Sequence, residues 1–150
     1  MTAVRASGLR HRVVEFEPAR SVEEAAVARG VPLHAVTKTI VVRRGDGDLL
    51  MVLVPGDRTI DWRRLRSHLG VSRLSLASAE EAHAATGYRP GTITPFGSTT
   101  LLPVIADASM DGLVSVGGGA PGMAIELEAA DLVQALAAAV ADVTQTATGR

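Results

Sequence analysis

A single lysine, Lys38, stands in the segment Val36-Thr37-Lys38-Thr39-Ile40 of a 150-residue chain that otherwise uses arginine for permanent positive charge. Arg43, Arg44, Arg58, Arg63, Arg64, Arg66 and Arg73 crowd the same half of the sequence. An ammonium is a compact point charge with three rotatable donors, and its pKa moves when it is desolvated. A lysine kept amid an arginine bias suits work that a guanidinium cannot do. It can equally be a chance survivor at the start of a strand, so its neighbours decide.

The richest neighbour is the loop Thr86-Gly87-Tyr88-Arg89-Pro90-Gly91-Thr92-Ile93-Thr94-Pro95-Phe96-Gly97, which holds the only tyrosine and one of two phenylalanines. Long loops inside compact domains are functional or disordered, and these prolines and aromatics favour order. Its glycines expose backbone N–H groups that could face a bound carbonyl, the chemistry of an oxyanion hole. The plainer alternative is a connection packed under a sheet. A second glycine cluster, Gly117-Gly118-Gly119-Ala120-Pro121-Gly122, formally matches G-x-G-x-x-G. A dinucleotide site needs a helix to start there. Apolar residues at 123, 125 and 127 indicate a strand instead, so the cluster reads as a hairpin turn whose glycines can line a pocket.

Other chemistries are poorly supported. The absence of cysteine excludes disulfides, thiolate nucleophiles and cysteine-ligated zinc. The histidines at 11, 34, 68 and 83 show no metal-ligand spacing, and only His34 stands near Lys38. There is no G-x-S-x-G elbow, and no cofactor is expected. Residues 1–73 hold thirteen Lys/Arg and eight Asp/Glu, whereas residues 74–150 hold two and eight. That asymmetry fits either a face for a polyanion or two solvated helices of opposite sign. The net charge of −1 excludes tight nucleic-acid binding by phosphate contacts alone.

The elements that must position these groups follow from pattern. A strand over 13–16 precedes a helix over 22–29, with Ser21 and Glu24 as its capping box and Gly30 as its stop. Two apolar runs, 40–42 and 49–54, flank Gly45-Asp46-Gly47-Asp48, a hairpin signal. Asp61 caps a basic helix over 62–69, and Ser78 with Glu81 caps another over 79–85. Strands are expected over 101–105, at an edge or bulge because of Pro103, and over 113–116 and 123–127. A helix over 130–143 and a frayed tail over 144–150 complete a single mixed α/β (α+β) domain spanning 1–150. The N-terminus lacks the apolar core of a secretory signal. The most apolar helical stretch falls short of the ~20 residues that span a bilayer. A cytoplasmic, soluble protein without membrane or DNA partners is expected.

Taken together, Arg29-Gly30-Val31-Pro32, Val36-Thr37-Lys38-Thr39, Val54-Pro55-Gly56-Asp57, Thr86-Gly87-Tyr88, Gly91-Thr92-Ile93-Thr94-Pro95 with Phe96-Gly97, and Val116-Gly117-Gly118-Gly119 resemble the YbaK/EbsC family of aminoacyl-tRNA deacylases. That family is related to the editing domain of bacterial prolyl-tRNA synthetases. The resemblance covers about residues 20 to 140. It implies a mixed, partly barrel-like β-sheet flanked by helices, and hydrolysis of the ester joining a wrong small amino acid to the tRNA 3′ end. It places Lys38 on the family's functional lysine and Gly91, Thr92, Ile93, Thr94 and Pro95 on its G-x-x-x-P loop. Thr37, Tyr88, Phe96, Gly97, Ser115, Gly117, Gly118 and Gly119 become candidate pocket residues. Some relatives carry a functional histidine late in the chain, where Ser115 to Gly119 stand here, a departure from the alanine-specific subtype. The implied partners are the acceptor end of aminoacyl-tRNA and a synthetase. Arg63, Arg64, Arg66 and Arg73 could track the acceptor stem, or simply form a solvated helix face. A non-catalytic tRNA- or synthetase-binding module and a small-molecule acyl-ester hydrolase are the competing functions.

Overall fold

The computed structural model describes residues 11–16, 21–45, 47–88, 93–96, 102–119 and 122–147. Its centre is dictated by the run Leu49-Leu50-Met51-Val52-Leu53-Val54, apolar at every position. Such a strand cannot face water on either side and demands cover on both. The chain forms β1 (Arg12–Glu15), α1 (Val22–Arg29), a 3-10 turn (Leu33–Ala35), β2 (Val36–Gly45), β3 (Asp48–Pro55), β4 (Arg58–Ile60) and α2 (Trp62–Leu69). It continues through β5 (Ser75–Leu76), α3 (Ala79–Thr86), β6 (Val104–Asp107), β7 (Leu113–Gly117), β8 (Met123–Glu128), α4 (Ala129–Leu136), β9 (Ala139–Ala141) and β10 (Thr144–Thr146).

The main sheet runs β1-β8-β7-β2-β3-β6-β9, with β5 paired to β2, and β4 and β10 form a separate two-stranded ribbon. The sheet is mixed. β2–β3 and β7–β8 are antiparallel, whereas β2–β7, β3–β6 and β6–β9 are parallel. Side chains of β3 alternate between two cores as a period of two requires. Leu49, Met51 and Leu53 join Val114, Val116, Ile125, Leu127 and Leu132 on one face. Leu50, Val52 and Val54 join Val42, Ile60, Leu65, Ile105 and Val143 on the other. Helices α3 and α4 cover the first face through Ala82 and Leu132, and α2 covers the second through Leu65. Burying a leucine side chain such as Leu65 stabilises the fold by about 1.5–3 kcal/mol.

For the first three helices the starts at Ser21, Asp61 and Ser78, and for the first two the stops at Gly30 and Gly70, are those legible in the sequence. The Ser21 side chain accepts from the Glu24 N–H, and Asp61 accepts from that of Arg64. Ser78 and Glu81 complete a reciprocal capping box. Each such cap contributes about 1 kcal/mol.

Three expectations are corrected. The helix expected over 130–143 ends at Leu136, where Ala137 turns left-handed at φ 50°. Residues 139–141 instead pair in parallel with β6. The alanine-rich composition favours helix, but pairing along an open sheet edge overrides that weak local preference. The expected tail starts too early, because Thr144–Thr146 pair with Ile60–Arg58 in β4, and Val143 and Thr144 are fully buried. Residues 148–150 lie outside the described residues. Finally, β6 is an interior strand between β3 and β9 rather than an edge. Pro103 sits just before it, where its carbonyl accepts from the Met51 N–H at 2.9 Å, so no donor is missing inside the ladder.

Candidate active site

Lys38 lies near the start of β2, directly opposite Val54 of β3. Ile40 and Val42 share its face and pack in the second core, so Lys38 projects on the side that carries α2 and the β4–β10 ribbon. Its Nζ donates to the main-chain carbonyl of Arg58 at 2.6 Å. Half-burial pushes the amine below the usual lysine range, and the carboxylates of Asp57 and Glu23 pull it part of the way back. Asp57 belongs to the turn before β4, and Glu23 to the first turn of α1.

A carbonyl partner has a chemical consequence. It occupies one of three ammonium protons and leaves the charge intact, so two donors and a full positive charge remain for an anion. A carboxylate in that position would neutralise the amine.

The described part of the G-x-x-x-P loop lies on the opposite face. Ile93, Thr94, Pro95 and Phe96 are all buried, and Ile93 and Phe96 join the first core. Tyr88 fastens this segment. Its hydroxyl donates to the Phe96 carbonyl at 3.0 Å, while its own N–H donates to Thr86 Oγ1 at 3.1 Å. Thr86 in turn donates to the Ala82 carbonyl at 2.7 Å, so the loop is anchored to the end of α3. The tyrosine ring also meets the glycine turn. A Cβ at Gly119, whose φ is +89°, would stand 2.8 Å from Tyr88 Cε1 and 3.6 Å from Thr94 Cγ2. Gly118 is as tightly held, its N–H donating to the Met123 carbonyl at 3.0 Å. A Cβ there would come 2.8 Å from the Met123 backbone. Only glycine permits so close an approach of backbone to ring and strand.

The structure therefore brings together Tyr88, Thr94, Phe96 and Gly119. Thr37 belongs with this face: it pairs with Val116 of β7 in parallel register, and Val116 is in the first core. Gly117 closes β7 opposite Ala124. The other candidates part company. Ser115 is fully buried on the reverse face, where its hydroxyl and carbonyl both accept from Arg29 Nη1 at 3.2 Å. Gly91, Thr92 and Gly97 lie outside the described residues. Among the arginines, Arg64 is engaged within the fold, with Nη1 donating to Asp142 Oδ1 at 3.2 Å and the Thr144 carbonyl at 3.0 Å. Arg63 and Arg73 are exposed and Arg66 is half-buried.

Histidines 34, 68 and 83 are exposed. Among the described residues no group of three His, Asp or Glu side chains could hold a metal ion, and no helix is long and apolar enough to cross a membrane. Sequence reasoning passed over Arg58 and Asp107, which stand behind Lys38. The available signal was a carboxylate at the end of the apolar run Val104-Ile105-Ala106.

Comparison with known proteins agrees with this architecture. A candidate trans-editing enzyme for prolyl tRNA synthetase superposes with a TM-score of 0.87 at 29% identity, covering 96% of this chain and 93% of that one. A hypothetical protein of known structure superposes equally well, at 0.87 and 30% identity over 95% of this chain and 96% of its own. Proline–tRNA ligases from Trichlorobacter lovleyi and Thermosipho africanus are 30% and 35% identical over 92 and 88 residues. Those stretches are 61% and 59% of this chain but only 16% and 15% of the ligases. The profile of the aminoacyl-tRNA editing domain matches residues 16–135, a span that holds Lys38, the Tyr88-anchored loop and the glycine turn, and the chain belongs to that family.

Proposed function

We propose that this domain hydrolyses the ester linking a wrongly attached small amino acid to the 3′ end of a tRNA, acting apart from the synthetase that made the error. The observation that carries the reading is the half-buried Lys38 ammonium held by a carbonyl rather than a carboxylate, in a chain of the editing family. Synthetase pockets discriminate poorly between small side chains, and a second hydrolytic step corrects them.

An aminoacyl ester is already activated, so its hydrolysis needs positioning and oxyanion stabilisation more than a strong nucleophile. Lys38 could in principle hold the terminal phosphate or polarise the ester carbonyl. Its place across the sheet from Ile93 and Phe96 favours the phosphate. Backbone N–H groups of the loop that carries Ile93 and Thr94 would then cradle the developing oxyanion. Water adds to the carbonyl carbon, the bond to the ribose oxygen breaks, and that oxygen takes up the proton. Free amino acid and uncharged tRNA leave.

A panel of tRNAs, each carrying a different small amino acid, tests the reading. Selective deacylation of mismatched pairs is the expected outcome, with tRNA for proline the first to assay given the relatives. A pure binding module would retain tRNA affinity without turnover. A small-molecule esterase would act on short aminoacyl esters without competition from uncharged tRNA.

Arg63 of α2 and Arg73 just beyond it, both exposed, give a separate prediction. Reversing Arg63 and Arg73 to glutamate should weaken tRNA binding and reduce the slope of log Kd against log salt by about 1 to 2. Binding measured at several salt concentrations checks this, and an unchanged slope would leave α2 a structural helix.

A further inference from the structure

We propose that Asp107, Arg58 and Thr144 form a positioning network that fixes the place of the Lys38 amine, so that the C-terminal strand β10 completes the site. The inference rests on the reading of Lys38 as the substrate anchor and extends it to residues distant in sequence.

The amine's carbonyl partner belongs to β4, a strand of three residues whose ladder runs only to β10 among the described residues. So short a ribbon is weakly held by its ladder alone. Side chains supply the rest. Arg58 Nε donates to Thr144 Oγ1 at 2.6 Å, and Nη2 donates to the Thr144 carbonyl at 3.1 Å. The guanidinium also approaches Asp107, with Nε 3.9 Å from Oδ2.

Asp107 is 2% exposed and closes the interior strand β6. Its Oδ1 accepts from the Val143 N–H at 3.1 Å, and Oδ2 accepts from the Ser109 N–H at 3.1 Å and from the Ser109 hydroxyl. Burial alone would push this carboxyl up, but those hydrogen bonds outweigh it and hold it below the usual range. Asp107 therefore stays ionised at neutral pH and serves as a fixed post.

The connections run in one direction. The sheet interior fixes Asp107, Asp107 fixes the start of β10 and the Arg58 side chain, and the Arg58 backbone holds the amine. A buried carboxylate is costly unless fully satisfied. An apolar residue could close β6 as well, yet could not hold Val143 and Arg58 at once. Glu23 from α1 and Asp57 from the turn are the other charged groups facing Lys38.

The single lysine makes the test direct. Protein labelled with 13C,15N-lysine gives one side-chain Cε–Nζ signal, that of Lys38. Asp107→Asn removes the charge of the post, and Thr144→Val removes the hydroxyl that accepts from Arg58 Nε while keeping the shape of the side chain. In both, the Lys38 signal should move, because the carbonyl that holds its amine is no longer fixed in place. Deacylation kcat/KM should fall roughly tenfold, the worth of about one hydrogen bond, with KM carrying most of the change. Leu132→Val, in the opposite core, should lower stability and leave the Lys38 signal in place. Folded Asp107→Asn and Thr144→Val proteins with an unmoved Lys38 signal would overturn the network, whether or not the wild type deacylates tRNA. A wild type inactive on every mischarged tRNA, with the signal still moved in both variants, would overturn the deacylase reading and support the network.

Discussion

Replacing Lys38 with alanine is expected to lower kcat/KM for deacylation roughly 100-fold and to leave the domain folded. The magnitude follows from the interaction removed. A charge-assisted hydrogen bond to a phosphate is worth about 1.5–3 kcal/mol, or ~10- to 150-fold. The fold should tolerate the change because Lys38 is only half-buried and belongs to neither apolar core. The cost is an Arg58 carbonyl left without its partner, about 1 kcal/mol.

Lys38→Arg sharpens the result. A guanidinium keeps the charge but is broader and more rigid, so activity between wild type and alanine is expected. Full activity in the arginine variant would mean that charge alone suffices. The pH dependence carries the same signature. Burial lowers the Lys38 pKa, so the wild type should lose activity on the alkaline side at a pH below the usual lysine value. The alanine variant should show no such limb once spontaneous ester hydrolysis is subtracted.

Gly56→Ala is expected to cost about 3 kcal/mol, which corresponds to a fall in Tm of roughly 6–12 °C for a chain of this size. Gly56 lies buried in the turn between β3 and β4. An added Cβ would stand 2.5 Å from the Leu33 carbonyl oxygen and 3.1 Å from both the Val36 carbonyl oxygen and Val22 Cγ2. Two of these three neighbours are backbone, so no side-chain rotation relieves the clash. Either the start of β2 or the turn must move. Lys38 is two residues beyond Val36 and Arg58 two beyond Gly56, so activity should fall with stability. A thermal melt followed by circular dichroism checks the first effect. An unchanged Tm would show that the turn has room for a methyl group.

Much of this fold is written locally. Ser21, Asp61 and Ser78 name their helix starts, Gly30 and Gly70 their ends, and the unbroken apolar run of β3 announces a strand covered on both faces. Alternation along β2 also separates Lys38 and Ile40 from Thr37 and Thr39. It does not say which face Ile93 to Phe96 will cover, because that depends on how α3 docks. The C-terminal error has the same origin. Residues 137–146 are apolar and threonine-bearing enough for either helix or strand, and the decision comes from β6 and β4, distant in sequence. The site divides likewise: the lysine and the glycine-rich loop could be read from residue type and spacing. The Arg58–Asp107–Thr144 network could not, since only the folded chain brings these three together.

The most direct test of the central claim is a single-turnover assay of the purified wild-type domain on tRNA for proline carrying a wrong small amino acid, with correctly charged tRNA and Lys38→Ala protein alongside. The expected result is release of the mismatched amino acid well above the uncatalysed rate, with the correct ester spared and the alanine variant close to background. Background-rate hydrolysis by the folded wild type across the small amino acids, or equal rates with and without Lys38, would contradict it.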